Sequence, residues 1–182
     1  MFFVRSNMLN TSLSSNSIPK YFFNKLVDIT PEDIFSMGAK AVGIDLDNTS
    51  FYDSTYKPFP GVYEWLSSMK KAGIPVIIVS NTYEFRANRI SKKLGGLPYI
   101  GNANKPDTKC FFEAAKQCGV DVSEFAMVGD QLFTDIQGAN NAGAISVRVK
   151  YMTREILMGI RFRLVRRRER LYLEDKGLGD KV

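Results

Sequence analysis

The fold of this chain is decided by a short stretch at residues 41–49, AVGIDLDNT. Its first half is apolar, which predicts a buried strand, and its second half places two acids, an amide and a hydroxyl directly after that strand. A second stretch at residues 74–82, IPVIIVSNT, repeats the arrangement. Because the apolar runs are continuous, they indicate strands that are covered on both faces, as in a parallel sheet.

Helical patterns separate these strands from one another and from further strands on either side. Apolar residues recur at helical spacing after each run, and glycines end the predicted helices at positions 73, 95–96 and 119. The predicted strands are residues 41–46, 74–79, 99–100, 125–128 and 144–149. This alternation predicts an α/β fold with a doubly wound, Rossmann-like, parallel sheet of five strands.

Composition limits both the chemistry and the compartment. The 182 residues include no histidine, which excludes an imidazole base and a His-ligated metal site. Two cysteines favour a reducing compartment, and no apolar run approaches the roughly 18 residues of a membrane span. We predict a cytoplasmic protein. The mitochondrial matrix is the alternative, because residues 1–27 lack acids and carry Ser, Asn and a few basic residues.

Three segments follow from these patterns. Residues 1–26 are predicted to be a loosely ordered N-terminal extension, residues 27–150 the α/β domain, and residues 151–182 a basic helix and tail.

Polar residues follow the predicted strands or lie in the loops between them. They are Asp45, Asp47, Asn48, Thr49, Ser80, Asn81, Lys105, Asp130 and Asp135. Each has an ordinary explanation alone: an acidic turn, a helix cap at Ser80, or a surface lysine at Lys105. Ligands of open parallel sheets bind at the carboxyl ends of the strands, so the common position favours one site. Carboxylates and a lysine there suit a divalent cation and a phosphoryl group.

Four motifs carry a resemblance to a known family. They are GIDLDNT at 43–49, VIIVSNT at 76–82, NKP at 104–106 and VGDQLFTD at 128–135. Over about residues 27–150 the chain resembles class IIIA phosphatases of the haloacid dehalogenase (HAD) superfamily, of the YqeG type, whose relatives include phosphatidylglycerophosphate phosphatases. The resemblance implies a Mg²⁺-dependent phosphomonoester hydrolase that acts through an aspartyl-phosphate.

The resemblance also implies residue roles. Asp45 would be the nucleophile and Asp47 the general acid and base, while Ser80 and Lys105 would bind the phosphoryl group. Mg²⁺ would lie between Asp45, the backbone carbonyl of Asp47 and Asp130, with Asp135 as a further ligand or a partner of one.

The physical chemistry of phosphoryl transfer agrees with these roles. A carboxylate approaches an anionic phosphate only when charge is neutralised, which a metal ion and Lys105 would do. Asp47 must hold a proton part of the time, so we expect its pKa to be raised. We expect Asn48 and Thr49 to offer backbone N–H groups to the phosphate, with Asn81 as a further substrate contact. A receiver domain is disfavoured, because it needs no Asp two residues after its phosphorylated Asp.

The spacing of the motifs leaves no room for a sizeable cap domain. Residues 46–79 are needed for one loop, one helix and one strand, and residues 81–104 for a helix and a short strand. The site should therefore be open, which favours a large or membrane-borne substrate.

Most of the net charge of +6 belongs to the C-terminal segment. Between Arg154 and Arg170, seven arginines face two glutamates, a local +5. One apolar stripe of the predicted helix is Ile156, Leu157, Ile160, Leu164 and Leu171, and a second is Met158, Phe162 and Val165. One stripe can dock on the domain, and a second one flanked by arginine suggests an anionic membrane surface. The alternatives are an exposed tail helix, or an RNA-binding or assembly factor with a vestigial phosphatase site.

Overall fold

The structure is a computed structural model that describes residues 16–151 and 160–179. Its centre is one sheet in which every pairing is parallel, ordered β1-β6-β5-β2-β3-β4. The strands are β1 Tyr21–Phe23, β2 Ala41–Ile44, β3 Val76–Val79, β4 Tyr99–Ile100, β5 Phe125–Gly129 and β6 Ile145–Val149. The predicted parallel α/β fold is confirmed. The order reverses at β2, whose neighbours are β3 and β5, and such a reversal opens a crevice at the carboxyl ends of the strands.

The sheet has six strands rather than the predicted five. The additional strand β1 pairs with β6 at the sheet edge, with Tyr21 opposite Val147. It lies within the segment 1–26, in which composition predicts loose order. A three-residue strand at an edge carries too short an apolar run to be predicted from sequence. Residues 1–15 lie outside the described part of the chain.

Helices cover both faces of the sheet. They are α1 Pro31–Ser36, α2 Val62–Lys71, α3 Glu84–Lys93, α4 Lys109–Gln117, α5 Gln137–Ala142 and α6 Ile160–Asp175. Side chains of β3 alternate between two cores: Ile78 packs on the α2 and α3 side, and Ile77 on the α4 and α5 side. Burial of both faces explains why the strand sequences are continuously apolar.

No separate cap domain is inserted between residues 45 and 105, a span that the structure describes in full. The loop at residues 46–61 is held by isolated bridges from Phe51 to Asp47 and to Pro58. Beyond it, residues 45–105, all described, contribute only α2, α3, β3, β4 and their connections. Among the described residues, none of the helices has the length and apolar character to cross a membrane.

The docking of α6 differs from the predicted apolar stripe. Tyr172 and Leu173 pack against Leu132, Phe133 and Ile136, and the polar pair Arg166 and Glu169 is buried beside them. By contrast, Leu164 and Leu171 are 52% and 55% exposed. These two residues of the first predicted stripe therefore face away from the domain, and the face of α6 that docks is half polar. Residues 156–158 lie outside the described chain, as do the side chains of residues 160 and 162.

Candidate active site

Three carboxylates meet at the carboxyl ends of β2 and β5. Asp45 follows β2, Asp130 follows β5, and Asp135 lies in the π-helical turn Leu132–Ile136. Pairing of the two strands fixes the first two, since the amide of Asp45 donates to the carbonyl of Val128 at 3.0 Å. All three side chains are buried, and each offers an oxygen within 4.8 Å of the others. The predicted convergence of these acids is therefore present.

Gly129 makes the position of Asp135 possible. A Cβ atom at residue 129 would lie 2.3 Å from Cγ of Asp135, far inside van der Waals contact. The carboxylate of Asp135 also accepts a hydrogen bond from the amide of Gln131 at 3.1 Å. Asp135 thus lies directly on the backbone at the end of β5.

Gly129→Ala is expected to displace Asp135 and to reduce stability, with an overpacking cost of about 1–3 kcal/mol. Phosphatase activity should fall more steeply than stability, because the carboxylate cluster is disrupted. Thermal melts and hydrolysis of a generic phosphomonoester would measure the two effects. Gly179→Ala, at an exposed glycine, is the control. Unchanged activity in Gly129→Ala would show that phosphatase activity does not require Asp135 at this position.

Lys105 is buried between two of the carboxylates. Its Nζ donates to Oδ1 of Asp45 at 2.8 Å and to the carbonyl of Val79 at 2.7 Å, and lies 2.6 Å from Oδ1 of Asp135. Burial lowers the pKa of Lys105, but Asp135 and Asp45 more than offset this, so the pKa lies above its ordinary value. The alternative of a solvated surface lysine is excluded, and Lys105 is a fixed positive charge inside the site.

The predicted substrate contacts Asn81, Asn48 and Thr49 have other partners in the structure. The side chain of Asn81 donates to the carbonyl of Lys105 at 3.0 Å and accepts from its amide at 2.7 Å. The amides of Asn48 and Thr49 donate to Phe51 and Leu46 within the loop. This corrects the expectation that these two amides stand open to a phosphate, because the tight loop after β2 uses them. The Thr49 hydroxyl instead contacts Asp130, at 3.2 Å from Oδ1.

Ser80 stands at the carboxyl end of β3, the strand next to β2. It is buried, its amide donates to the carbonyl of Ile100, and its Oγ accepts from the amide of Thr82 at 3.3 Å. The alternative of a helix cap does not apply, since α3 begins after Tyr83. The hydroxyl therefore remains a candidate phosphate ligand at this edge.

Asp47 is held by an arginine that sequence reasoning missed. Arg86 of α3 donates to both carboxylate oxygens of Asp47, at 2.6 and 2.8 Å, and to the carbonyl of Thr55 at 2.7 Å. Burial raises the pKa of Asp47, and the hydrogen bond from Arg86 opposes that rise. The pKa of Asp47 still lies above its ordinary value, which is the direction predicted from the sequence.

A second missed group lies behind Asp130. Arg166 of α6 donates to Oδ2 of Asp130, to its backbone carbonyl at 3.2 Å, and to Glu169 at 2.8 Å. Glu169 accepts from the amide of Leu132 at 2.7 Å, and Arg148 of β6 lies 3.9 Å from its carboxylate. Burial raises the pKa of Asp130, whereas Arg166 lowers it. The C-terminal helix thus contributes directly to the surroundings of the carboxylate cluster.

The donor set fits a hard divalent cation. Three carboxylates in one buried cluster supply the oxygen ligands that Mg²⁺ prefers. One oxygen of each carboxylate lies within 4.8 Å of the others, close enough for all three to share one ion. Oδ1 of Asp135 is paired with Nζ of Lys105 at 2.6 Å, so the cluster already binds one positive charge of the protein's own.

Comparison with known proteins agrees with this geometry. Residues 22–143 match the haloacid dehalogenase-like hydrolase family. The chain is 36% identical over 132 residues to a protein named probable phosphatase YqeG from Bacillus subtilis, covering 72% of this chain and 76% of that protein. It is also 30% identical to a glyceraldehyde 3-phosphate phosphatase of Methanopyrus kandleri, over 56% of this chain but only 48% of that protein.

Solved structures show the same fold. A 4-nitrophenylphosphatase of Thermotoga maritima superimposes with a TM-score of 0.53 at 14% identity, over 66% of this chain and 89% of that one. A protein of Listeria monocytogenes superimposes with a TM-score of 0.52 at 21% identity, over 66% of this chain and 86% of that one. At these identities the likeness concerns the fold alone.

Proposed function

This chain belongs to the haloacid dehalogenase-like hydrolase family as a YqeG-type phosphatase, and on that premise we propose that it is a Mg²⁺-dependent phosphomonoester hydrolase with Asp45 as nucleophile. The observation that carries the proposal is the buried cluster of Asp45, Asp130 and Asp135, with the Nζ of Lys105 between Asp45 and Asp135. A carboxylate that attacks an anionic phosphate needs such a fixed positive charge beside it.

The proposed reaction has two displacement steps. A carboxylate oxygen of Asp45 attacks phosphorus, and the leaving-group oxygen takes a proton from Asp47 as its bond to phosphorus breaks. Asp47, now ionised, removes a proton from water, which attacks the aspartyl-phosphate and releases inorganic phosphate and Asp45. To reach the leaving group, Asp47 must exchange its pair with Arg86 for that oxygen.

The remaining residues hold charge in place. Lys105 and the Ser80 hydroxyl would bind the phosphoryl oxygens. Asn81 would hold the backbone of Lys105 in place through its two hydrogen bonds. Mg²⁺, held by Asp45, the backbone carbonyl of Asp47 and Asp130, would neutralise the charge that develops on the phosphoryl oxygens. Asp135 would serve as a further ligand or as the partner of Lys105.

We propose a phospholipid head group, phosphatidylglycerophosphate, as the substrate, with the protein held peripherally on a cytoplasmic membrane face. The absence of a cap between residues 45 and 105 supports a substrate that projects from a surface. On α6, Leu164 and Leu171 are exposed together with Arg163 and Arg167, a combination that favours anionic lipid. RNA is the other polyanion that such a helix could bind, and the experiment below compares the two substrates.

Leu164→Ser combined with Leu171→Ser is expected to lower binding to anionic liposomes at low salt by about tenfold, because two exposed apolar side chains are lost. Co-sedimentation would measure the loss, with Phe112→Ser, at an exposed side chain of α4, as control. Phosphate release from vesicle-borne phosphatidylglycerophosphate should exceed release from 5′-phosphorylated RNA. The reverse preference would replace the lipid proposal with the RNA alternative.

A further inference from the structure

We propose that Arg166 is a positioning residue of the metal site: it fixes the carboxylate of Asp130 so that this group can hold a divalent cation. The inference rests on the proposed function, because it concerns the cation at the same carboxylate cluster. Arg166 lies outside the segment 22–143 that matches the family and is contributed by α6.

The argument begins with the contacts of Asp130, which is 0% exposed. Its Oδ2 accepts from Nη2 of Arg166, and its backbone carbonyl accepts from Nη1 of the same guanidinium at 3.2 Å. The guanidinium of Arg166 thus forms hydrogen bonds with both the side chain and the main chain of Asp130. A forked arginine contact of this kind fixes the rotation of a carboxylate as well as its charge.

The guanidinium is itself held in place. Glu169, one turn along α6, accepts from Nη1 of Arg166 at 2.8 Å and from the amide of Leu132 at 2.7 Å. Leu132 opens the helical turn that carries Asp135. The same pair of α6 residues therefore contacts Asp130 directly and contacts the turn that carries Asp135 through Leu132.

The arginine contact leaves Asp130 within reach of the cluster, since one of its oxygens lies within 4.8 Å of oxygens of Asp45 and Asp135. The Oδ1 of Asp130 accepts from the Thr49 hydroxyl at 3.2 Å, so both carboxylate oxygens have a fixed partner. Groups that orient a metal ligand typically contribute about 10- to 100-fold to metal affinity. Coupling is reciprocal, so a cation bound by Asp130 should in turn stabilise the docking of α6.

The test is the double variant Arg166→Met with Glu169→Gln, in the full chain. It removes one positive and one negative charge, so the net charge is unchanged, and the introduced amide keeps an oxygen for the N–H of Leu132. Isothermal titration with Mg²⁺ alone is expected to show about tenfold weaker binding than in the wild type. Lys176→Met with Glu174→Gln makes the same charge exchange at exposed positions at the C-terminal end of α6 and should bind Mg²⁺ within about twofold of wild type.

Hydrogen exchange provides a reading that does not depend on activity. Mg²⁺ should increase the protection of α6 amides in the wild type and in the control, and this increase should be lost in the double variant. If the double variant does not fold, Arg166→Lys takes its place. Lysine keeps the positive charge but cannot make the forked contact with Asp130. If Arg166 acts by positioning Asp130, this variant should bind Mg²⁺ more weakly than the wild type. If Arg166 only balances charge, its Mg²⁺ binding should be unchanged.

Two results would overturn the inference, and they are distinguishable. Wild-type protein that binds Mg²⁺ beside a double variant of equal affinity would remove the positioning role and leave the proposed function intact. Wild-type protein that binds no Mg²⁺ would remove the metal site on which both depend.

Discussion

Asp45→Asn is expected to lower the rate of phosphate release by about 10⁴-fold or more, the scale seen when a catalytic nucleophile is removed. An amide cannot form the acyl phosphate, so covalent labelling of the protein by a phosphorylated substrate should disappear as well. The measurement is hydrolysis of a generic phosphomonoester in excess Mg²⁺, with acid-quenched protein analysed by mass spectrometry for the phosphorylated residue.

Asp121→Asn is the matched control, because Asp121 is exposed and precedes β5 at the opposite end of the strand from Asp130. The control should retain wild-type activity, and thermal melts should show all three proteins folded. Phosphate release by folded Asp45→Asn at a rate near that of the wild type would assign the nucleophile to another residue.

Lys105→Met has the second largest expected effect, and it acts on both stability and activity. Breaking a buried ion pair leaves uncompensated charge on Asp45 and Asp135, which should reduce the free energy of unfolding by about 3–5 kcal/mol. Activity should fall by about 10²–10³-fold, the usual effect of losing one preorganised group that stabilises the transition state. Chemical denaturation without metal and steady-state hydrolysis with Mg²⁺ would measure the two effects.

Mg²⁺ should restore part of the stability of Lys105→Met, because ligand binding to the folded state stabilises it and the carboxylates have lost their own cation. Lys109→Met, at an exposed lysine four residues further on, should match the wild type in both assays. If Lys105→Met were as stable as the control without metal, the buried bridge between Asp45 and Asp135 could not be present in solution.

The position of the site could be predicted from sequence because each functional group follows an apolar strand. Asp45, Ser80 and Asp130 come directly after β2, β3 and β5, and parallel strands bring their carboxyl ends together. Lys105 is harder to assign because it lies in a loop, and only the order of the motifs indicates that it belongs to the site; its burial was not predicted. The strand β1 offered too few residues for periodicity to be informative.

The arginine partners could not be predicted, for a physical reason. Arg166 lies in a run of three arginines, and composition alone cannot tell which of them is buried. Searching for an apolar stripe selects Leu164 and Leu171, which the structure leaves exposed. The docked face can carry charge because Asp130 and Glu169 pair with the guanidinium, and the contact with Asp130 joins residues 36 positions apart in the sequence. Arg86 could not be predicted for the same reason, since its partner Asp47 lies 39 positions away in the sequence.

The position of β6 determines how far the chain can be truncated without breaking the sheet. A fragment trimmed to residues 22–143 would lose β6, which pairs with β1 and is the outer neighbour of β5. The edge of β5 would then carry unpaired amides and carbonyls next to Asp130, the proposed metal ligand. Such an unpaired edge is a template for aggregation. Anyone who expresses this catalytic core alone should therefore include the chain through α6.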